Sequence, residues 1–102
     1  FVTDGCVRDL PGLRAVGLPA YCMGITPNSP HRSGPGTIGL PVTIAGHPVC
    51  SGDVVVADQD GVVVIPQAAL PRVIDRLPAI RQAEAQADQS VRDGARLPSF
   101  LK

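Results

Sequence analysis

Two unbroken apolar runs, Val54-Val55-Val56-Ala57 and Val62-Val63-Val64-Ile65, flank Asp58-Gln59-Asp60-Gly61. Runs this short and this rich in β-branched residues fit pleated strands better than helices. An Asp-Gly step between two such runs is a strong hairpin signal. The runs do not alternate with polar residues, so they read as strands covered on both faces. Pro66 ends this sheet portion. Residues 67–93 then read as a long helix, with Leu70, Val73, Leu77, Ile80, Ala87 and Val91 on one stripe. Glu84 interrupts the stripe. Pro71 is tolerable in a first turn, whereas Pro78 removes an interior hydrogen bond and is expected to kink the helix or split it. Residues 94–102 form a tail expected to dock on a neighbour.

Upstream of the hairpin the pattern is mixed. Phe1 to Thr3 reads as the end of a strand. Leu10 to Val16 is a short helix with Leu10, Leu13 and Val16 on one face, and Gly17 sits where a helix C-terminus ends. Pro19 to Met23 is a second strand, parallel to the first, closing a small βαβ unit. Gly24 to Gly39 is a loop carrying three prolines and four glycines; a loop of that length is usually functional or buried in an oligomer contact. Pro41 to Ala45 is a third strand, Gly46-His47-Pro48 a turn, Val49-Cys50 the return, and Ser51-Gly52-Asp53 another turn. The expected class is α/β, one domain over residues 1–102. Phe1 stands without a Met and already looks like strand interior, so an N-terminal part is expected to precede it.

Nine Lys and Arg balance nine Asp and Glu, and aromatics are 3% of the chain. That combination lacks the basic excess and the stacking platforms of a nucleic-acid binder. The chain is expected to need no membrane either, because no apolar run approaches the roughly 20 residues that span a bilayer. Cys6, Cys22 and Cys50 are an odd count without C-x-x-C spacing, which points to reduced, buried thiols and a cytoplasmic setting. With His31 and His47 they match no zinc-ligand spacing.

Five features are candidates for chemistry. Gly34-Pro35-Gly36-Thr37-Ile38-Gly39 spells G-x-G-x-x-G, but a strand follows where a dinucleotide site needs a helix, so it reads as a flexible loop. Asp58-Gln59-Asp60-Gly61 resembles part of a calcium loop without its remaining oxygen ligands, and a hairpin turn is the better reading. His31-Arg32 reads as two solvated side chains or an anion contact near a cleft. His47, beside Pro48, reads as exposed and idle. Arg8-Asp9 is the most specific. It lies where a strand hands over to a helix, the end at which open α/β sheets bind ligands. Arg offers a planar fork to a carboxylate or enolate, and a lone Asp with waters is a normal Mg²⁺ site. Asp9 also fits the N-cap of the following helix.

Asp4-Gly5-Cys6-Val7-Arg8-Asp9, Gly17-Leu18-Pro19-Ala20-Tyr21 and Ser51 through Pro66 together resemble, in order and spacing, the RraA-like family. That family holds the 4-hydroxy-4-methyl-2-oxoglutarate/4-carboxy-4-hydroxy-2-oxoadipate aldolases and the regulators of ribonuclease activity A. The resemblance covers nearly the whole chain but about the C-terminal half of a typical member. It implies a layered, swivelling-type α/β domain in trimers or hexamers, and a class II pyruvate aldolase using Mg²⁺ or Mn²⁺. It implies that Arg8 binds the pyruvyl oxygen of a 2-oxo acid substrate, that Asp9 holds the metal, and that Glu84 reaches a neighbouring subunit's site. Oxaloacetate decarboxylation is the implied side activity. The alternatives it leaves are a protein-binding regulator of ribonuclease activity and an inactive fragment. Gly12 stands where some members carry an acid. The Gly-rich pyruvate loop and a second Asp would lie before Phe1.

Overall fold

The computed structural model describes residues 1–96, and the docking expected of the tail falls mostly outside them. The chain divides into two compact units, Phe1–Gln67 and Ala68–Lys102. The first holds the strands found among the described residues and a short helix; the second is dominated by one long helix. The elements are β1 (Cys6–Val7), α1 (Leu10–Ala15), β2 (Gly24–Ile25), β3 (Val42–Ile44), β4 (His47–Val49), β5 (Val54–Asp58), β6 (Gly61–Ile65) and α2 (Leu70–Arg92). This mixture of helix and strand is the α/β class expected.

β1 and β2 run parallel, Cys6 opposite Gly24 and Val7 opposite Ile25, with α1 between them. Val2 bridges to Tyr21 in the same sense. The βαβ unit therefore exists, but its regular strands lie later than expected. Phe1 to Thr3 and Pro19 to Met23 contribute a single bridge, fastened by the Thr3 N–H on the Tyr21 carbonyl at 3.0 Å and the Tyr21 N–H on Phe1 at 2.9 Å.

β5 and β6 form the hairpin read from the sequence, from Val54 opposite Ile65 to Asp58 opposite Gly61. Asp58 shapes its turn by accepting the Asp60 N–H on Oδ1 at 2.8 Å. The strands are not covered on both faces: Val55, Val56 and Val63 are 47%, 55% and 60% exposed. A continuous apolar run permits two-sided burial, but a two-stranded sheet supplies no layer to provide it. No residue among those described is buried. The cysteines correct the expectation in the same way, Cys6 and Cys50 being exposed and Cys22 half-buried, all three unbridged.

β3 and β4 pair antiparallel around Ala45-Gly46, so His47 and Pro48 are strand residues rather than turn residues. Both turn residues have positive φ, 48° and 81°, the arrangement that matches the twist of hairpin strands. Alanine in this region costs about 1–2 kcal/mol relative to its usual backbone. Asp4 offsets that cost from 41 residues away in sequence, its Oδ2 accepting the Ala45 N–H at 2.9 Å. Asp53 makes a similar tie: its carboxylate accepts the Cys50 N–H at 2.9 Å and the Gln67 N–H at 3.1 Å, joining the turn after β4 to the end of β6. We expect Asp4→Ala to speed hydrogen exchange at the Ala45 amide by roughly fivefold. Unchanged protection of that amide by NMR would refute the tie.

A 3-10 turn, Gln67–Ala69, precedes α2, which starts at Leu70 rather than Gln67. Pro71 lies in the first turn as expected. Pro78 neither splits nor ends the helix. A proline removes one donor and crowds one carbonyl, here that of Ile74, and the intact ladder on either side carries the helix through. Along the stripe Leu70, Val73 and Ala87 are half-buried, whereas Leu77, Ile80 and Val91 are exposed. No helix among the described residues is long and apolar enough to cross a membrane.

Candidate active site

Arg8 and Asp9 occupy the two-residue step between β1 and α1. Asp9 is the N-cap, as its place before Leu10 indicated. Its backbone is left-handed, φ 58° and ψ 51°, and its Oδ1 accepts the Gly12 N–H at 3.4 Å. Pro11 suits the first turn because its missing N–H would have gone unpaired there. The helix ends by a Schellman arrangement, with Leu18 donating to the Leu13 carbonyl at 3.2 Å and Gly17 to that of Arg14 at 3.1 Å. Gly17 takes φ 66°, the conformation glycine is there to supply. Leu10 and Leu13 are half-buried on the inner face, but Val16, expected beside them, is 75% exposed because it lies past the last turn as the C-cap.

The cap sets where the Asp9 carboxylate can go. A Cβ added to Gly12 would fall onto Asp9 Oδ2 and lie 2.9 Å from Cγ. Glycine at this position keeps the space beside Oδ2 open. No donor among the described residues meets that oxygen, so it is left for water or a cation. Among the described residues no three His, Cys, Asp or Glu side chains come together to hold a metal ion. A cation at Asp9 would thus take one carboxylate from this stretch and complete its shell with water and substrate, the habit of Mg²⁺ rather than of zinc.

Arg8 is exposed, and its Nη1 donates to Ser29 Oγ at 2.7 Å. One of its five N–H groups is used there, leaving four for a ligand. Ser29 was not singled out from the sequence. Its serine lies 21 residues from Arg8 in a loop whose path composition does not reveal. The next ladder bond after β1–β2, the Thr26 N–H on the Val7 carbonyl at 3.0 Å, brings that loop to Arg8.

Other sequence candidates lie elsewhere. Gly34 to Gly39 is irregular and leads into β3, with no helix to receive a phosphate. His31, Arg32 and His47 are exposed. Glu84 is exposed on α2 in the second unit. A concavity of the first unit, about 950 Å³, is lined by Val2, Tyr21, Ile44, Val49, Val55 and Val64 among others. Its lining is mostly apolar, with Asp4, His47, Asp58 and Gln59 among the polar side chains, and it does not include Arg8 or Asp9.

The family model for "RraA-like: Aldolase/RraA" matches residues 1–64. A relative from Halalkalibacterium halodurans, named a candidate 4-hydroxy-4-methyl-2-oxoglutarate aldolase, is 35% identical over 93% of this chain and 43% of its own. Streptomyces coelicolor RraAS2, described as an unusual member of the RNase ES inhibitor RraA protein family, has a crystal structure that matches with TM-score 0.73 and 35% identity, covering 85% of this chain and 45% of its own. An uncharacterized protein of Pseudomonas syringae pv. tomato matches with TM-score 0.76 and 27% identity over 89% of this chain and 43% of its own. The chain spans about half the length, 43% and 48%, of two curated relatives it matches. The matched family segment contains Arg8, Asp9, the loop with Ser29 and all but the last residue of the β5–β6 hairpin, and on that match this chain belongs to the RraA-like family.

Proposed function

We propose that the protein works as a divalent-metal-dependent carbon–carbon lyase on 2-oxo acids with a pyruvyl unit, of the 4-hydroxy-4-methyl-2-oxoglutarate type. The observation that carries this reading is the Arg8-Asp9 step, a fixed cation beside a carboxylate with one oxygen free, at the end of a parallel strand. Cleavage breaks the bond between C3 and C4 of the substrate. The C4 hydroxyl loses its proton, C4 becomes the carbonyl of one product, and the electron pair moves through C3 to the 2-oxo oxygen. Protonation at C3 then gives pyruvate. Arg8 would hold the 2-oxo oxygen as charge gathers on it, where a preorganised donor stabilises the transition state more than the ground state. Asp9, with water, would hold Mg²⁺ or Mn²⁺, which acts as a Lewis acid on the same pyruvyl group. The same sink accepts the electron pair released when oxaloacetate loses its carboxylate. Glu84 is proposed as an acid that one subunit lends to another's site in a homotrimer or hexamer.

The test is a coupled assay of pyruvate release from 4-hydroxy-4-methyl-2-oxoglutarate and from oxaloacetate. We expect turnover with Mg²⁺ or Mn²⁺ and its loss in EDTA. Absence of pyruvate under all conditions would overturn the reading. A second reading, a binding regulator of a ribonuclease, draws on the likeness to RraAS2; inhibition of RNase ES by a chain that releases no pyruvate would favour it.

A further inference from the structure

We infer that Ser29 is a positioning residue for Arg8: its hydroxyl, delivered by the loop after β2, fixes the guanidinium in the orientation that meets the substrate. The inference rests on Arg8 being the pyruvyl contact. A free arginine side chain carries large rotamer entropy, and an exposed one samples most of those rotamers. Here one end is held, Nη1 donating to Ser29 Oγ at 2.7 Å.

The holding group is itself restrained. The Thr26 N–H on the Val7 carbonyl, 3.0 Å, pins the start of the loop to β1 one residue before Arg8. Thr26 Oγ1 then accepts the Asn28 N–H at 3.2 Å, turning the chain. Pro27 and Pro30 lock φ on both sides of Asn28-Ser29. The loop thus arrives at Arg8 with little freedom, and its residue there is a small hydroxyl that accepts without competing for charge. A carboxylate at the same place would neutralise the guanidinium that the substrate needs. Serine holds Arg8 and leaves its charge and four N–H groups for the ligand.

A double-mutant cycle tests this, using pyruvate as the probe in calorimetric titration with Mg²⁺ present, alongside steady-state turnover. Ser29→Ala is expected to weaken pyruvate binding roughly fivefold and to lower kcat/KM by a similar factor. Ser29→Thr, which keeps the acceptor, is expected to match the wild type. In an Arg8→Ala background, Ser29→Ala is expected to change pyruvate binding no further, because the side chain it positions is gone. Equal binding by Ser29→Ala and wild type would overturn the inference while leaving the proposed activity standing. So would the same loss in both backgrounds, which would mark Ser29 as acting on the loop alone. A wild-type protein that neither binds nor releases pyruvate removes the proposed activity, and this inference with it.

Discussion

Replacing Arg8 by alanine is expected to lower pyruvate release by roughly two to three orders of magnitude, the range seen when one donor to a developing oxyanion is removed. The fold has little stake in this side chain. It is exposed, and its described partner is a loop serine. A loss of turnover with unchanged circular dichroism is therefore a loss of chemistry. Arg8→Lys is expected to fall between the two, since an ammonium keeps the charge but not the planar fork. Turnover by Arg8→Ala within about threefold of wild type would rule out an oxyanion role of the size this site is proposed to supply.

The second large effect is expected at Asp9, where the choice of substitution decides what is learned. Asp9 sits at φ 58° and caps α1 through Gly12. Asparagine tolerates that backbone and caps as well as aspartate, whereas alanine loses the cap, worth about 1 kcal/mol, and is strained besides. Asp9→Asn is expected to keep the helix and to lose most Mg²⁺-dependent turnover, roughly a hundredfold. EDTA should then have little left to remove. If Asp9→Asn kept the wild-type response to Mg²⁺ and EDTA, the metal would have to bind elsewhere. Asp9→Ala would confound the two roles.

What could be read beforehand from the residues was whatever local pattern decides. Asp-Gly between two valine runs is enough for a hairpin, and Asp9 before Leu10-Pro11 is enough for a capped helix. Gly17 marked the helix end for the same reason. Long-range ties were not legible. Ala45 carries no sign of positive φ, since the carboxylate that holds it belongs to Asp4. Ser29 carries no sign of facing Arg8, since a parallel strand pair sets that meeting. The cysteines and the valine runs lack the cover their composition suggests, because apolar composition states a preference for cover, not its presence. At Pro78 the helix loses one bond and retains the rest, so it is not split there. The Arg8-Asp9 pair gained meaning from its neighbours, because the match to a family spans residues 1–64 rather than two letters.

The β5–β6 hairpin has a further consequence, which concerns its backbone. As a sheet of two strands among the described residues, it has an outer edge on each strand, where N–H and C=O groups point away from the pair. Such edges are templates for added strands, and charge or proline is the usual protection. Val62 to Ile65 has neither. Whatever covers these valines must therefore answer two demands together. It must take apolar area from water, and it must either leave those edge groups wet or pair them with a strand of its own.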